Sequence, residues 1–274
     1  MASNRLREAD RPALGRTPLP LAAAAAVALV VLLVPVASLL IRAPWSDLLD
    51  HLGSAAVLEA LRLSLVSATL AAALSLVLGV PLAWMLARVS FRGRPLVRAL
   101  VTVPLVLPPV VGGIALLMAF GRRGVVGEPA YEVLGLTIPF TMTAVVLAQT
   151  FVALPFLVIS VEGALRSADT RYDEVAATLG ANRWTTFRTV TLPMALPGVV
   201  SGLVLAWSRA LGEFGATITF AGNFPGTTRT MPLAIYTARQ SEPETALVLS
   251  VILLGISVAV LAALRERWIG GVAR

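Results

Sequence analysis

Six stretches of the chain, residues 21–41, 63–87, 99–120, 137–161, 193–213 and 245–264, are almost wholly apolar over 20 residues or more. Each is as long as a helix needs to cross about 30 Å of hydrocarbon at about 1.5 Å per residue. Runs of this length dictate the fold class. Backbone in lipid has to satisfy its own hydrogen bonds, which leaves helices or closed barrels, and a barrel strand needs only about half this length. The expected class is therefore an all-α polytopic membrane protein with six transmembrane helices. Only the fifth stretch holds charges, Arg209 and Glu213. The composition agrees: 14% of residues are charged, against about 25% in a soluble domain.

The 22 basic residues are all arginine, and their placement sets the expected orientation. Fifteen lie in the N-terminal tail, the second and fourth connections and the C-terminal tail. The positive-inside rule puts those segments, both termini included, in the cytoplasm. The expected layout is a cytoplasmic tail at 1–18, a first transmembrane helix and external loop at 19–57, a five-helix transmembrane domain at 58–264 and a second cytoplasmic tail at 265–274. The first apolar stretch follows an arginine-rich tail and ends near Val36-Ala37-Ser38, as a cleaved signal would. At 21 residues it exceeds the 7–15 of a signal peptide, which favours a retained helix. Eight prolines fall within or beside the stretches: Pro35, Pro81, Pro104, Pro108, Pro109, Pro139, Pro155 and Pro197. Each removes a backbone donor and is expected to bend its helix.

The formal net charge of +7 and the pI near 11.2 fit anchoring against anionic lipid better than a nucleic-acid footprint, because the arginines are clustered between apolar runs. Lipid is thus an expected partner and nucleic acid is not. The chain has no cysteine and one histidine, His51, placed between the first two stretches. Thiolate metal sites, a cysteine nucleophile and a Ser/His/Asp triad within the membrane are excluded or hard to assemble, so no catalytic and no metal-ligating residue is expected. A self-sufficient secondary transporter would show repeat-related halves with broken helices in matching positions, and no such repeat is visible.

The fourth connection, residues 162–192, reads Asp169-Thr170-Arg171-Tyr172-Asp173-Glu174-Val175-Ala176-Ala177-Thr178-Leu179-Gly180 in its first half. Asp169 or Thr170 can cap a helix whose first turns carry Asp173 and Glu174 beside the positive dipole end. Gly180 supplies the left-handed stop. A second short basic helix is expected at 182–189, before Leu192-Pro193 opens the fifth span. By composition alone this is an interfacial helix hairpin with Trp184 at headgroup level.

The same residues resemble a known motif. Glu174-x-Ala176-Ala177-x-x-Gly180, nine residues, then Val190-x-Leu192-Pro193 is similar to the EAA loop of type I ABC-importer permeases. The departures are Val175 at the first alanine of that motif and Val190 at its isoleucine. The resemblance covers about residues 58–264. It implies a coupling helix, carried here by Asp173, Glu174, Ala176, Ala177, Gly180, Leu192 and Pro193, that docks on a separate ATP-binding subunit. The chain lacks G-x-x-x-x-G-K-[ST], so it cannot hydrolyse ATP through that loop. It is expected not to be an enzyme and to bind no cofactor, with ATP on the partner. The resemblance also implies a homodimer of permease chains, two ATP-binding subunits, an extracytoplasmic binding protein and a prokaryotic cell membrane.

A second run, Arg209-Ala210-Leu211-Gly212-Glu213-Phe214-Gly215-Ala216-Thr217, continued by Phe220-Ala221-Gly222-Asn223 and Met231-Pro232-Leu233-Ala234-Ile235-Tyr236, resembles molybdate permeases and, less closely, sulfate and thiosulfate permeases. The residue types suit an oxyanion: a tetrahedral dianion has no proton to donate, so its path needs donors. Thr217, Thr219 and Asn223 are candidate donors and Arg209 a candidate cation. Glu213, four residues on, can pair with Arg209 and keep the site from holding a dianion too tightly. A gating or interface role for that pair is the reading preferred over direct contact with the anion. Tungstate cannot be told from molybdate by these residues, and sulfate is the runner-up.

Overall fold

The computed structural model describes residues 18–272, so the expected N-terminal tail with Arg5, Arg7, Arg11 and Arg16 lies outside the described residues. Among these, every regular element is helical. The chain divides into two units at Ala43/Pro44. The first holds α1 (Leu19–Arg42), an uninterrupted helix with a mean hydropathy of 2.8 across its most apolar window.

The second unit opens with α2 (Leu48–Leu52) and is built around three long helices, α3 (Ala55–Arg88), α7 (Met142–Ser167) and α10 (Leu192–Leu211). In lipid, helices gain little from hiding apolar surface, so association rests on close packing of small residues and on hydrogen bonds. The buried face of α3 follows that rule, with Ser67, Ala68, Ala71, Ala72, Ser75, Gly79 and Ala83. α10 answers with Gly198 and Gly202, set against Ala164, Ser160 and Leu157 of α7. Ser160 Oγ donates to the Gly198 carbonyl at 2.9 Å across that seam. Leu86, Leu157, Leu165 and Leu211 fill the remaining core.

The third apolar stretch is not one straight span. It is two helices, α4 (Arg94–Val106) and α5 (Pro109–Phe120), bent by 118°. Leu107 and Pro108 at the break are extended, with ψ of 132° and 134°. The cause is the Pro108-Pro109 pair: each proline forces the preceding residue out of helical geometry and removes a donor. Isolated Pro35, Pro81, Pro104, Pro155 and Pro197 break nothing and lie inside continuous helices. Counting the bent pair as one, the described residues hold six segments long and apolar enough to cross a membrane.

Other boundaries shift for local reasons. α7 begins at Met142 rather than near residue 137, because Phe140, just after Pro139, takes φ of 63°. It runs on to Ser167, past Glu162, whose carboxylate is neutralised by Arg98 of α4 and lies 3.8 Å from Arg166. Residues 162–167 therefore belong to a helix and not to the connection. Four elements were not expected as helices: α2, in the expected external loop, and α6 (Gly127–Leu134), α11 (Gly215–Phe220) and α12 (Met231–Ser241). The start of α12 is held by α3, where Ser64 Oγ accepts the Met231 N–H at 2.6 Å. The last helix, α13 (Pro243–Val272), continues through most of the stretch expected as a C-terminal tail.

Candidate functional site

Two clusters occupy opposite ends of α10, and the first is the connection between α7 and α10. α8 (Arg171–Thr178) starts where Asp169 Oδ1 accepts the Arg171 N–H at 2.9 Å, while Thr170 gives no side-chain cap. It ends in a Schellman motif: Ala181 N–H bonds to Ala176 O and Gly180 N–H to Ala177 O, both at 3.0 Å, with Gly180 at φ 85°. Asn182 then caps α9 (Arg183–Thr186) by accepting from Thr185 N–H at 2.9 Å.

α9 is not the separate short helix that the sequence suggests. It passes through one wide turn, residues Phe187–Thr191, straight into α10, where the Leu192 N–H reaches back five residues to Phe187 O. Pro193 explains the widening, since its ring clashes with the carbonyl four residues earlier and it has no N–H to close a normal turn.

The two acidic residues of α8 face different ways. Asp173 turns inward, where Oδ1 accepts from Thr191 Oγ1 at 2.9 Å and Oδ2 lies 3.5 Å from Arg88 Nε. Arg88 also donates to the Ala168 carbonyl at 3.3 Å, so the end of α3 clamps the connection at both edges. Glu174 is exposed, and so are Tyr172, Val175 and Leu179, the last at 82%. Large apolar side chains on a helix bearing Arg171, Asp173 and Glu174 form a face suited to a protein partner. Ala176 is buried beneath it, Ala177 is exposed, Leu192 packs on the core and Pro193 is exposed. The sequence pointed to Asp173, Glu174 and Gly180 but not to Arg88 or Thr191. A carboxylate among exposed neighbours, opposite the arginine that ends a span, was the available sign.

The second cluster lies 16 residues further along α10, about 24 Å from Pro193 at helical rise. Arg209 and Glu213 form an ion pair at 2.6 Å; the glutamate side chain is 1% exposed and the arginine 30%. The other carboxylate oxygen of Glu213 accepts the Ala216 N–H at 2.8 Å. Glu213 thus joins the end of α10 to the start of α11. α11 packs on α5 at a contact that requires glycine: a Cβ on Gly113 would lie 2.6 Å from Thr219 Cβ, and one on Gly215 would lie 2.6 Å from Pro109 Cβ.

The remaining candidates do not converge on the pair. Thr219 Oγ1 donates back to Gly215 O at 2.9 Å. Thr217 is fully buried, and its hydroxyl has no hydrogen-bond partner among the described residues. Asn223 lies in a separate loop, where it accepts from Arg229 Nε at 3.0 Å and donates to Thr237 Oγ1 at 2.9 Å. That loop is tightened by Thr228, whose hydroxyl accepts the Phe224 N–H at 2.9 Å. The clamp by Arg229 and Thr237 was not expected from sequence.

Comparison with known proteins places this geometry. Residues 79–271 match the family described as binding-protein-dependent transport system inner membrane component. The molybdenum transport system permease protein ModB of Mycobacterium bovis is 50% identical over 85% of this chain and 88% of its own. The protein of the same name from Escherichia coli K12 is 42% identical over 79% and 94%. Among solved structures, a bacterial ABC transporter involved in the import of the acidic polysaccharide alginate superimposes with a TM-score of 0.66 at 18% identity, covering 85% of this chain and 87% of that one. The MetNI methionine ABC transporter gives 0.60 at 19% identity, covering 80% and 96%. The fold is that of type I ABC-importer permeases, as expected. With a family model matched over most of its length and relatives this similar, the chain belongs to the binding-protein-dependent transport system inner membrane components, multi-pass permeases of the inner membrane.

Proposed function

We propose that this chain is the membrane-spanning subunit of an ATP-driven molybdate importer. Two copies would form the path and two separate ATP-binding subunits would drive it, with an extracytoplasmic binding protein delivering the anion. The observation that carries the substrate is the likeness to molybdenum permeases over 85% of this chain. The clamped, glycine-stopped α8 with its exposed Tyr172, Val175 and Leu179 supports the coupling role. ATP hydrolysis then belongs to the partner subunits. In this reading Arg209 and Glu213 form a gate element between α10 and α11, with Thr217, Thr219 and Asn223 shaping the segment beyond it.

Uptake of labelled molybdate by vesicles holding the permease, its ATPase and its binding protein tests the proposal. Expected are ATP-dependent uptake, competition by tungstate and weak competition by sulfate. Equal competition by sulfate would move the substrate assignment to the sulfate group.

Orientation is testable because the chain has no native cysteine. α8 and α9 should face the cytoplasm and the loop at Arg229 the outside. Thr228 is fully buried, so the outside reporter belongs at exposed Thr227. In intact cells Thr227→Cys should react with an impermeant thiol reagent and Asn182→Cys should not. The reverse labelling pattern would invert the topology.

A further inference from the structure

Beside α8 and α9 lie two cavities to which the transport reading assigns no occupant. One, of about 410 Å³, is walled by Arg88, Ser90, Asp173 and Arg183. The other, of about 350 Å³, is walled by Pro81, Trp84, Trp184, Phe187 and Arg183. They share Trp84, Arg183 and Phe187, so they are two compartments of one site. Phe187 stands between the indoles, edge-on to Trp84 and stacked with Trp184, each at 5.8 Å between ring centres.

The two compartments differ in chemistry. In the polar one, Arg88 is already bound to Asp173 and to the Ala168 carbonyl. Arg183 forms no ion pair among the described residues, so the compartment keeps one uncompensated positive charge. The apolar one offers aromatic faces and a proline, with Arg183 at its edge. The site also straddles a boundary. Pro81 and Trp84 lie in the last two turns of the apolar α3 span, and Arg88 ends that helix. Tryptophan and arginine at the end of a span mark the headgroup level of a bilayer.

We infer that this is a binding site for an anionic glycerophospholipid of the leaflet next to α8, with its phosphate at Arg183 and an acyl chain along Trp84 and Trp184. The division between the compartments selects this occupant: a free anion would leave the apolar half empty, and an uncharged lipid would leave Arg183 unmatched. Because the polar wall includes Asp173 and Ala177 of α8 and Thr191 beyond it, the headgroup would brace the coupling helix against α3. Anionic lipid should therefore promote coupled ATP hydrolysis. The site stands whichever anion is transported, because lipid binding is counted separately from uptake.

The test uses the permease assembled with its ATP-binding subunits. Retained phosphatidylglycerol is counted by native mass spectrometry, and ATP hydrolysis is measured in vesicles of phosphatidylcholine with and without phosphatidylglycerol. Arg183→Gln should weaken retention about fivefold, the worth of one basic residue at a membrane surface. It should also abolish the stimulation by phosphatidylglycerol while matching the wild type in phosphatidylcholine alone. Trp184→Ala should weaken retention independently. Unchanged retention in both variants overturns the site. Stimulation of phosphatidylcholine vesicles by added inorganic phosphate, lost in Arg183→Gln, overturns the lipid assignment in favour of a free anion.

Discussion

Arg209→Ala is expected to be the most damaging single change at the Arg209–Glu213 cluster. It strands a carboxylate that is 1% exposed, and breaking a buried ion pair from one side costs about 3–5 kcal/mol. The melting temperature of the purified permease should fall clearly and uptake should be nearly lost. The companion variants separate the two duties of Glu213. Glu213→Gln keeps an oxygen for the Ala216 N–H and strands only Arg209, whose partial exposure lets solvent reach it, so the loss should be smaller. The double variant Arg209→Ala with Glu213→Ala removes both charges together with the start of α11. It should lie between the other two, recovering part of the stability lost in Arg209→Ala but lacking the acceptor for the Ala216 N–H, worth about 1 kcal/mol. If the double variant melts no higher than Arg209→Ala and transports no better, the two side chains do not balance each other and the gate assignment falls.

Gly180→Val should uncouple the transporter without preventing its insertion. At φ 85° a non-glycine residue pays about 1–2 kcal/mol, and a β-branched one fares worst. The Schellman bonds of Ala181 and Gly180 then compete with a strained backbone, and α8 is free to run on past its stop. ATP-driven uptake should drop at least about tenfold, the kinetic equivalent of a 1.4 kcal/mol penalty on the coupled state. Gly180→Asn is the control, because asparagine tolerates the left-handed region; most uptake should survive. The space beside Gly180 is open, with no atom within 4 Å of an added Cβ, so a difference between the two variants reports backbone conformation and not crowding. Equal uptake by Gly180→Val and the wild type would reduce α8 to an anchor.

The spans were legible because hydropathy accumulates over 20 residues and single exceptions do not erase it. The same averaging hid the break at Leu107-Pro108, since Pro-Pro inside an apolar run scores as membrane. It also hid the onset of α7, where one residue, Phe140, takes an unusual φ. The stop at Gly180 was legible because only local geometry decides it. The merging of α9 with α10 was not, because Pro193 reads as a helix start and its accommodation by a widened turn depends on the chain ahead of it. At the far end of α10 the spacing of Arg209 and Glu213 showed the pair. It could not show the second oxygen of Glu213 at Ala216, because the chain leaves α10 at Gly212 and re-enters a helix only at Gly215. Asp173 was visible as an acid near a helix start, but its clamp comes from Arg88, in a different span.

The unbroken run Arg183–Leu211 has a mechanical consequence. A coupling element joined to its span by a flexible loop would lose most of any push from a partner to slack. Here α9 and the span run on as one rod packed against α3 and α7, and α8 is tied to that rod directly by the Asp173–Thr191 hydrogen bond. A tilt of about 5° at the driven end would carry Arg209, about 24 Å beyond Pro193 at helical rise, sideways by about 2 Å. Arg209 and Glu213 would travel together, so that stroke would fall on the 2.8 Å contact between Glu213 and the Ala216 N–H, where α10 meets α11. In such a rod the amplitude at the far end is fixed by the number of residues between Pro193 and Arg209.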